Sequence, residues 1–337
     1  MQGNGFGRVR AWLLRGIGAV FALAVVLVLA LMWWWDYEPG HFDVVPTAQA
    51  RLAAKGERVV TGSVTTAALI TTAETLLDKR GGYLSNDRLP PGVFMDNVPN
   101  WEFGVLTATR DLARALRNDF SRSQTQSVED KDLQEADPLF SSPNDRWLLP
   151  SSESQYRKAI ARVDAYLTRL ADGDDSNAQF YARADNLADY LQVVSARLGS
   201  LSQRLSAAAG QVRIDTDLAG DEHARQSTPA PSPRLVKTPW TKIDDNFYEA
   251  RGYTWALREQ LEAVRADFAP ILASKNATVS LEQVIRELEE SQKALGSPIV
   301  LNGTPFGFFA NHSLVMANYI SRANAAVIDL RELLKRG

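Results

Sequence analysis

Any acid–base chemistry in this chain falls to carboxylates. There is no cysteine, which excludes thiol nucleophiles, disulfides, cysteine-bound zinc and iron–sulfur clusters together. His41, His223 and His312 are the only histidines and are too scattered to propose a metal set from spacing. Neither a Gly-x-Ser-x-Gly elbow nor a His-Glu-x-x-His helix occurs. What remains is Trp101-Glu102, and Asp244-Asp245 with Glu249. Two carboxylates flanking a bond, beside rings on which sugars stack, are the equipment of glycoside cleavage. Acids also favour helix N-termini, and that explains Asp244 and Asp245 equally well. No catalytic residue is assigned on this evidence, and no cofactor or metal is expected.

A second candidate is the loop Leu301 to His312, with Phe306, Phe308 and Phe309 among glycines and asparagines just ahead of a helix. Free amides in a helix's first turn bind anions, so one reading is a ligand-binding lip with Asn311 and His312 as contacts. The favoured reading is structural: the rings plug the end of a bundle, and Asn311 caps the next helix. Gly303 and Gly307 form no phosphate fingerprint, since no strand precedes them and no lysine follows. In the helix beyond, Asn318, Ser321, Arg322 and Asn324 are expected to find partners in a polar network with Glu249, Arg251 or Glu102. The candidate ligand-binding residues are therefore Trp101, Glu102, Glu249, Asn311 and His312.

These groups have to be positioned by something, and the clearest element is at the start. Gly16 to Trp35 is uncharged and about 20 residues long, the length that crosses a bilayer core. Trp33, Trp34 and Trp35 close it where indoles prefer the lipid–water boundary, and Arg10 and Arg15 stand at the other end. With Arg8, these arginines precede the run, whereas Asp36, Glu38 and Asp43 follow it. The positive-inside rule then keeps the N-terminus cytoplasmic. A cleaved signal sequence competes for the same stretch. However, signal cores are shorter, and Trp34 to Tyr37 occupy the place where small residues belong.

About 280 of the 337 residues lie beyond residue 58, enough for one large domain or two modest ones. With 45% hydrophobic and 23% charged residues, the chain as a whole has the make-up of a folded protein. A net charge of −3 argues against a nucleic-acid partner. Helical spacing recurs along the chain. Ile70, Ala73, Leu76 and Leu77 precede a Gly81-Gly82 stop, with a short strand at 59–64 as the alternative. A turn-rich loop over 83–99 is expected to pack on the body. Asn100 opens a helix through Phe120, and 121–137 reads as a polar connection. Ser152 with Gln155, and Ser280 with Gln283, have capping-box spacing. From Ala184 to Ala208 apolar residues step by three and four without a break, which calls for a helical partner nearly parallel or antiparallel. Further helices are expected from Asp244 and from about Ser313.

The result is roughly seven soluble helices and an all-α fold: a single transmembrane helix followed by a large extracytoplasmic helical bundle. The expected division is a cytoplasmic tail (1–15), the transmembrane helix (16–35), a periplasmic tether (36–58) and a helical periplasmic domain (59–336), with a flexible insertion at about 211–239. One shared body is preferred to two.

Several strings resemble the bacterial family known as DUF2333. They are Leu76 to Asp87, Leu89-Pro90-Pro91-Gly92-Val93, Asn100-Trp101-Glu102-Phe103-Gly104, Trp147 to Glu153, Gln179 to Asp185, and Asn311 to Ile320. The resemblance implies a Gram-negative inner-membrane protein with a periplasmic body, and brings no activity and no catalytic residues with it. The expectation is an envelope binding or scaffolding module, with the lipid bilayer and possible envelope proteins as partners and the oligomeric state unset. The alternative is a carboxylate hydrolase acting on cell-wall glycan.

Overall fold

The computed structural model describes residues 4–123, 128–174, 176–213 and 234–336. Helix α1, Asn4–Trp35, is apolar over Arg10–Trp35, and that stretch is free of contact with the body over most of its length. The helix begins at Asn4, so residues 4–15, expected as a tail, are its first turns.

The stretch expected as a tether is folded against the body. It carries α2, Val44–Ala53, and buries Val44, Ala48 and Leu52. Helix α3 (Ser63–Asp78) follows directly, so the strand at 59–64 does not form. Gly81 and Gly82 both take positive φ, as a turn after a helix requires. Then come α4 (Asn97–Ala115), prolonged by a π-turn over Leu116–Phe120, and α5 (Lys131–Phe140). Helix α5 lies largely inside the segment read as a polar connection; Asp130 caps it, accepting from the amides of Asp132 and Leu133. Helices α6 (Ser152–Ala171) and α7 (Ala184–Ser206) complete the first half.

Two three-residue strands, β1 (Gln211–Arg213) and β2 (Arg234–Val236), pair antiparallel and close off the expected insertion. Residues 214–233, which make up most of it, lie outside the described residues. The second half holds α8 (Ile243–Asp267), α9 (Ala269–Ser274), α10 (Thr278–Ser291) and α11 (His312–Lys335). Among the described residues ten helices therefore follow α1, against the seven expected. The caps also shift. Ser151, not Ser152, caps α6, and α10 begins ahead of Ser280.

A single apolar core runs from Val44 to Leu334 and unites both halves. Its axis is the parallel pair α4 and α8. A Cβ on Gly104 would overlap the Glu249 carbonyl, and one on Gly252 would overlap the Trp101 carbonyl, so glycine is what lets these backbones meet. The apolar stripe of α7 finds its partner in antiparallel α11. Ser195 Oγ donates to Asn324 Oδ1 at 2.8 Å, and the hydroxyls of Ser202 and Ser321 lie 2.5 Å apart. Arg322 instead pairs with Glu287 of α10, and Asn318 is exposed. None of these four polar residues bonds Glu102, Glu249 or Arg251. They trim helix seams and do not form the network expected.

Candidate functional site

Glu102 sits in the second turn of α4, fully buried. Its Oε1 pairs with Lys79 Nζ and accepts the Leu84 amide at 2.8 Å; its Oε2 accepts the Ser85 amide at 2.8 Å and the Ser85 hydroxyl at 2.5 Å. Lys79 also donates to the Gly82 carbonyl. A carboxylate has about four lone-pair sites, and here four donors fill them. Glu102 thus binds the turn after α3 to the start of α4 and has no acceptor position left for a substrate.

Glu249 is committed as well. Arg204 Nη1 and Nη2 reach its two oxygens at 2.6 and 2.5 Å, a fork-on-fork pair joining α7 to α8. The two carboxylates are therefore not brought together across an open cleft. Of the acids beside Glu249, Asp245 accepts from Asn100 Nδ2 at 3.0 Å and from Lys242 Nζ at 2.7 Å.

Trp101 is buried against Trp255, ring centres 5.2 Å apart, and its edge lines a cleft of about 290 Å³. Asp36, Tyr37 and Glu38 from the foot of α1 form one wall, Tyr248 and Arg251 the floor, and Leu295 to Pro298 the far side. Burial, and secondarily Asp96, hold the Asp36 carboxyl above its usual range. Arg251 is the pin of this region. Its Nε reaches both Glu38 oxygens at 2.7 Å, while Nη1 and Nη2 donate to the carbonyls of Lys293 (2.9 Å) and Gln292 (3.1 Å).

Across Arg251 lies a second cleft, of about 160 Å³, bordered by His312, Lys293 and Tyr319. Here the structural reading of Asn311 applies. Its Oδ1 accepts the Leu314 amide at 2.9 Å and caps α11, and its Nδ2 donates to the Asn302 Oδ1 and the Gly303 carbonyl. His312 Nδ1 accepts the Leu301 amide at 3.0 Å, and burial lowers its pKa. Phe306, Phe308 and Phe309, expected to plug the bundle, instead point into solvent. Trp101 and His312 thus border neighbouring clefts that share Arg251, whereas Glu102 and Glu249 border neither. Among the described residues no group of three or more His, Asp or Glu is placed to hold a metal ion.

The foot of α1 is built into the body. Trp35 lies over Gly81, where a Cβ would strike its indole. The Arg80 guanidinium stacks 4.4 Å from Trp34 and 4.0 Å from Tyr37. His41 Nδ1 meets Glu259 at 2.5 Å, and its ring stacks 6.3 Å from Trp255. None of the pairings made by Arg80, His41, Glu38 and Glu259 is expected from the sequence. Their partners lie up to 218 positions away, and no local pattern encodes such a pairing. Trp33 and Trp34, expected at a membrane interface, are exposed, as are Arg10 and Arg15 at the other end of the apolar stretch.

No curated protein and no solved structure matches the chain. Residues 8–337, nearly the whole chain, match a family described as an uncharacterised protein conserved in bacteria, and the chain belongs to that family, DUF2333.

Proposed function

We propose that the protein is a single-pass inner-membrane protein whose helical body stands on the periplasmic side as a binding or scaffolding module of the cell envelope. The observation that carries this reading is the junction at Trp34, Trp35, Arg80 and Gly81. An apolar helix long enough to span a bilayer ends on rings that are packing partners of the body. A leader removed by cleavage would take those partners with it, so the packing favours a retained anchor. Orientation rests on charge: Arg8, Arg10 and Arg15 before the span, Asp36, Glu38 and Asp43 after it. The absence of cysteine suits an oxidising compartment in which packing alone stabilises the fold.

The hydrolase reading loses its motivation, because Glu102 and Glu249 are spent on Lys79, Leu84, Ser85 and Arg204. Two measurements test the pair of readings. The full chain should stay with membranes through alkaline carbonate washing; release into the supernatant would sink the anchor. The purified full chain in detergent should leave peptidoglycan intact. Turnover that Glu102→Gln or Glu249→Gln abolished, with the fold retained, would restore the enzyme.

A further inference from the structure

The helices of the body run up and down, so their connections fall at two ends. The end at the foot of α1 can be traced by contact. A small cleft brings Met32, Trp33 and Asp36 against Phe94 to Asn97, at the start of α4. Asn100 bonds Asp245, placing the start of α8 there too. Phe247 faces His312 at 6.5 Å, and Leu295 to Pro298 share a cleft with Asp36 to Glu38, which brings in the connection 292–311. Asn86 donates to the Arg146 carbonyl at 2.7 Å, so the segment before α6 joins the same end.

Outside α1, every exposed phenylalanine, tryptophan or tyrosine beyond Tyr37 among the described residues is on these connections: Phe94, Trp147, Trp240, Phe306, Phe308 and Phe309. Phe306 and Phe308 are fully exposed, Trp240 is 82% exposed, and Phe309 and Phe94 more than 60%. On the connections and terminal helical turns of the opposite end, the exposed large apolar side chains among the described residues are the valines Val59, Val128 and Val279. Rings left in water at one end of a folded body mark a surface that meets something apolar. Trp and Phe are the residues that settle at the boundary of headgroup and acyl chain.

Resting on the membrane-anchor reading above, we infer that this end of the bundle lies in the headgroup layer of the leaflet from which α1 emerges, with Phe94, Trp240 and the Phe306–Phe309 loop wedged into it. The occupant of the apolar surface is the bilayer itself, by continuity with α1. The six residues between Asp36 and the N-cap of α2 leave no slack to lift the body away, since Tyr37, Glu38, His41 and Phe42 are each held by a partner. Asp36, Asp96, Asp244 and Asp245 stand among Arg80, Arg88, Lys242 and Lys293 at this end. The contact therefore rests on ring insertion rather than on attraction to anionic lipid.

The native chain has no cysteine, so single spin labels report depth directly. The full chain is reconstituted in phosphatidylcholine vesicles, with and without phosphatidylglycerol. Labels are placed through Phe21→Cys, Trp240→Cys, Phe308→Cys and Val279→Cys, and accessibility to oxygen is compared with accessibility to a water-soluble nickel chelate. The oxygen-to-nickel ratio at 240 and 308 should exceed that at 279 by roughly threefold or more, irrespective of anionic lipid. A ratio at 240 and 308 equal to that at 279, with the label at 21 deep in lipid, overturns the inference and leaves these rings for a protein partner. A label at 21 open to nickel overturns the anchor reading itself.

Discussion

The two ends of the bundle use the same residue type in opposite ways. At the end away from α1, Phe120, Phe180, Phe268 and Tyr190 turn inward and touch one another at 5.3 to 5.9 Å, closing the turn after α4 and the turn after α8 over one aromatic knot. Around it, Arg169 forks onto Asp130 and Asp132, and Arg117 onto Glu129 and Asp137. That end is finished: rings in, these arginines paired, valines scattered. At the end beside α1 the polar groups are consumed inside, in the Glu102–Lys79 knot and the Arg251 pin, and phenylalanine and tryptophan are turned out. The contrast teaches that exposure of rings here is not a failure to pack, because the same fold packs them well elsewhere.

The comparison can be broken most severely at its buried members. Phe120→Ala removes a fully buried ring from the aromatic knot and should cost about 3–5 kcal/mol in denaturant unfolding of the detergent-solubilised chain. A loss below about 1 kcal/mol would mean that the far end is looser than its geometry. Glu102→Ala leaves the Lys79 ammonium buried without its partner and strips the turn at Leu84 and Ser85 of its acceptor, for an expected loss also near 3–5 kcal/mol. Its signature would be local: limited proteolysis should first cut within 80–99. Cleavage elsewhere would contradict the role given to Glu102.

A smaller effect sharpens the electrostatics of the far end. Burial first, and then Asp189, push the Asp119 carboxyl up to about 6. A folded-state value above the unfolded one contributes stability fully below the ordinary carboxylate pKa, and that contribution disappears as pH rises through 6. Asp119 is partly exposed to solvent, so screening reduces the swing to about 1 kcal/mol. Asp119→Asn should therefore be the more stable protein above pH 6, with the gap closing by about pH 4. Parallel stability profiles would refute it. The smallest effect is expected at the near end. In detergent Phe308→Ala should shift unfolding by less than about 0.5 kcal/mol, as an exposed side chain whose only ring contact is with the equally exposed Phe309 does. A large loss there would place that ring in the core after all.

What could be read from the sequence follows from how local the signal was. The apolar run of α1, the unbroken stripe of α7 and the Asn311 cap are written in consecutive or periodic residues, and the structure carries all three. Helix α2 was missed because three buried residues in Val44–Ala53 make too thin a stripe, and Pro46 argued for a loop. Helix α5 was missed because Asp132, Glu135 and Asp137 hide a face of only Leu133, Ala136 and Phe140. Glu102 looked like an acid beside a sugar-stacking ring, and only three-dimensional burial shows it to be a fastening. The Phe306–Phe309 loop was read as a plug because aromatic residues are usually core. Their exposure depends on what surrounds the protein, and that is not written in the chain.

Because no native cysteine interferes, the most direct test of a membrane-anchored body on the far side of the bilayer is labelling with a membrane-impermeant maleimide in spheroplasts. Val279→Cys should react in intact spheroplasts, and Asn4→Cys should react only after lysis. The reverse pattern, or reaction of neither site before lysis, would contradict the account.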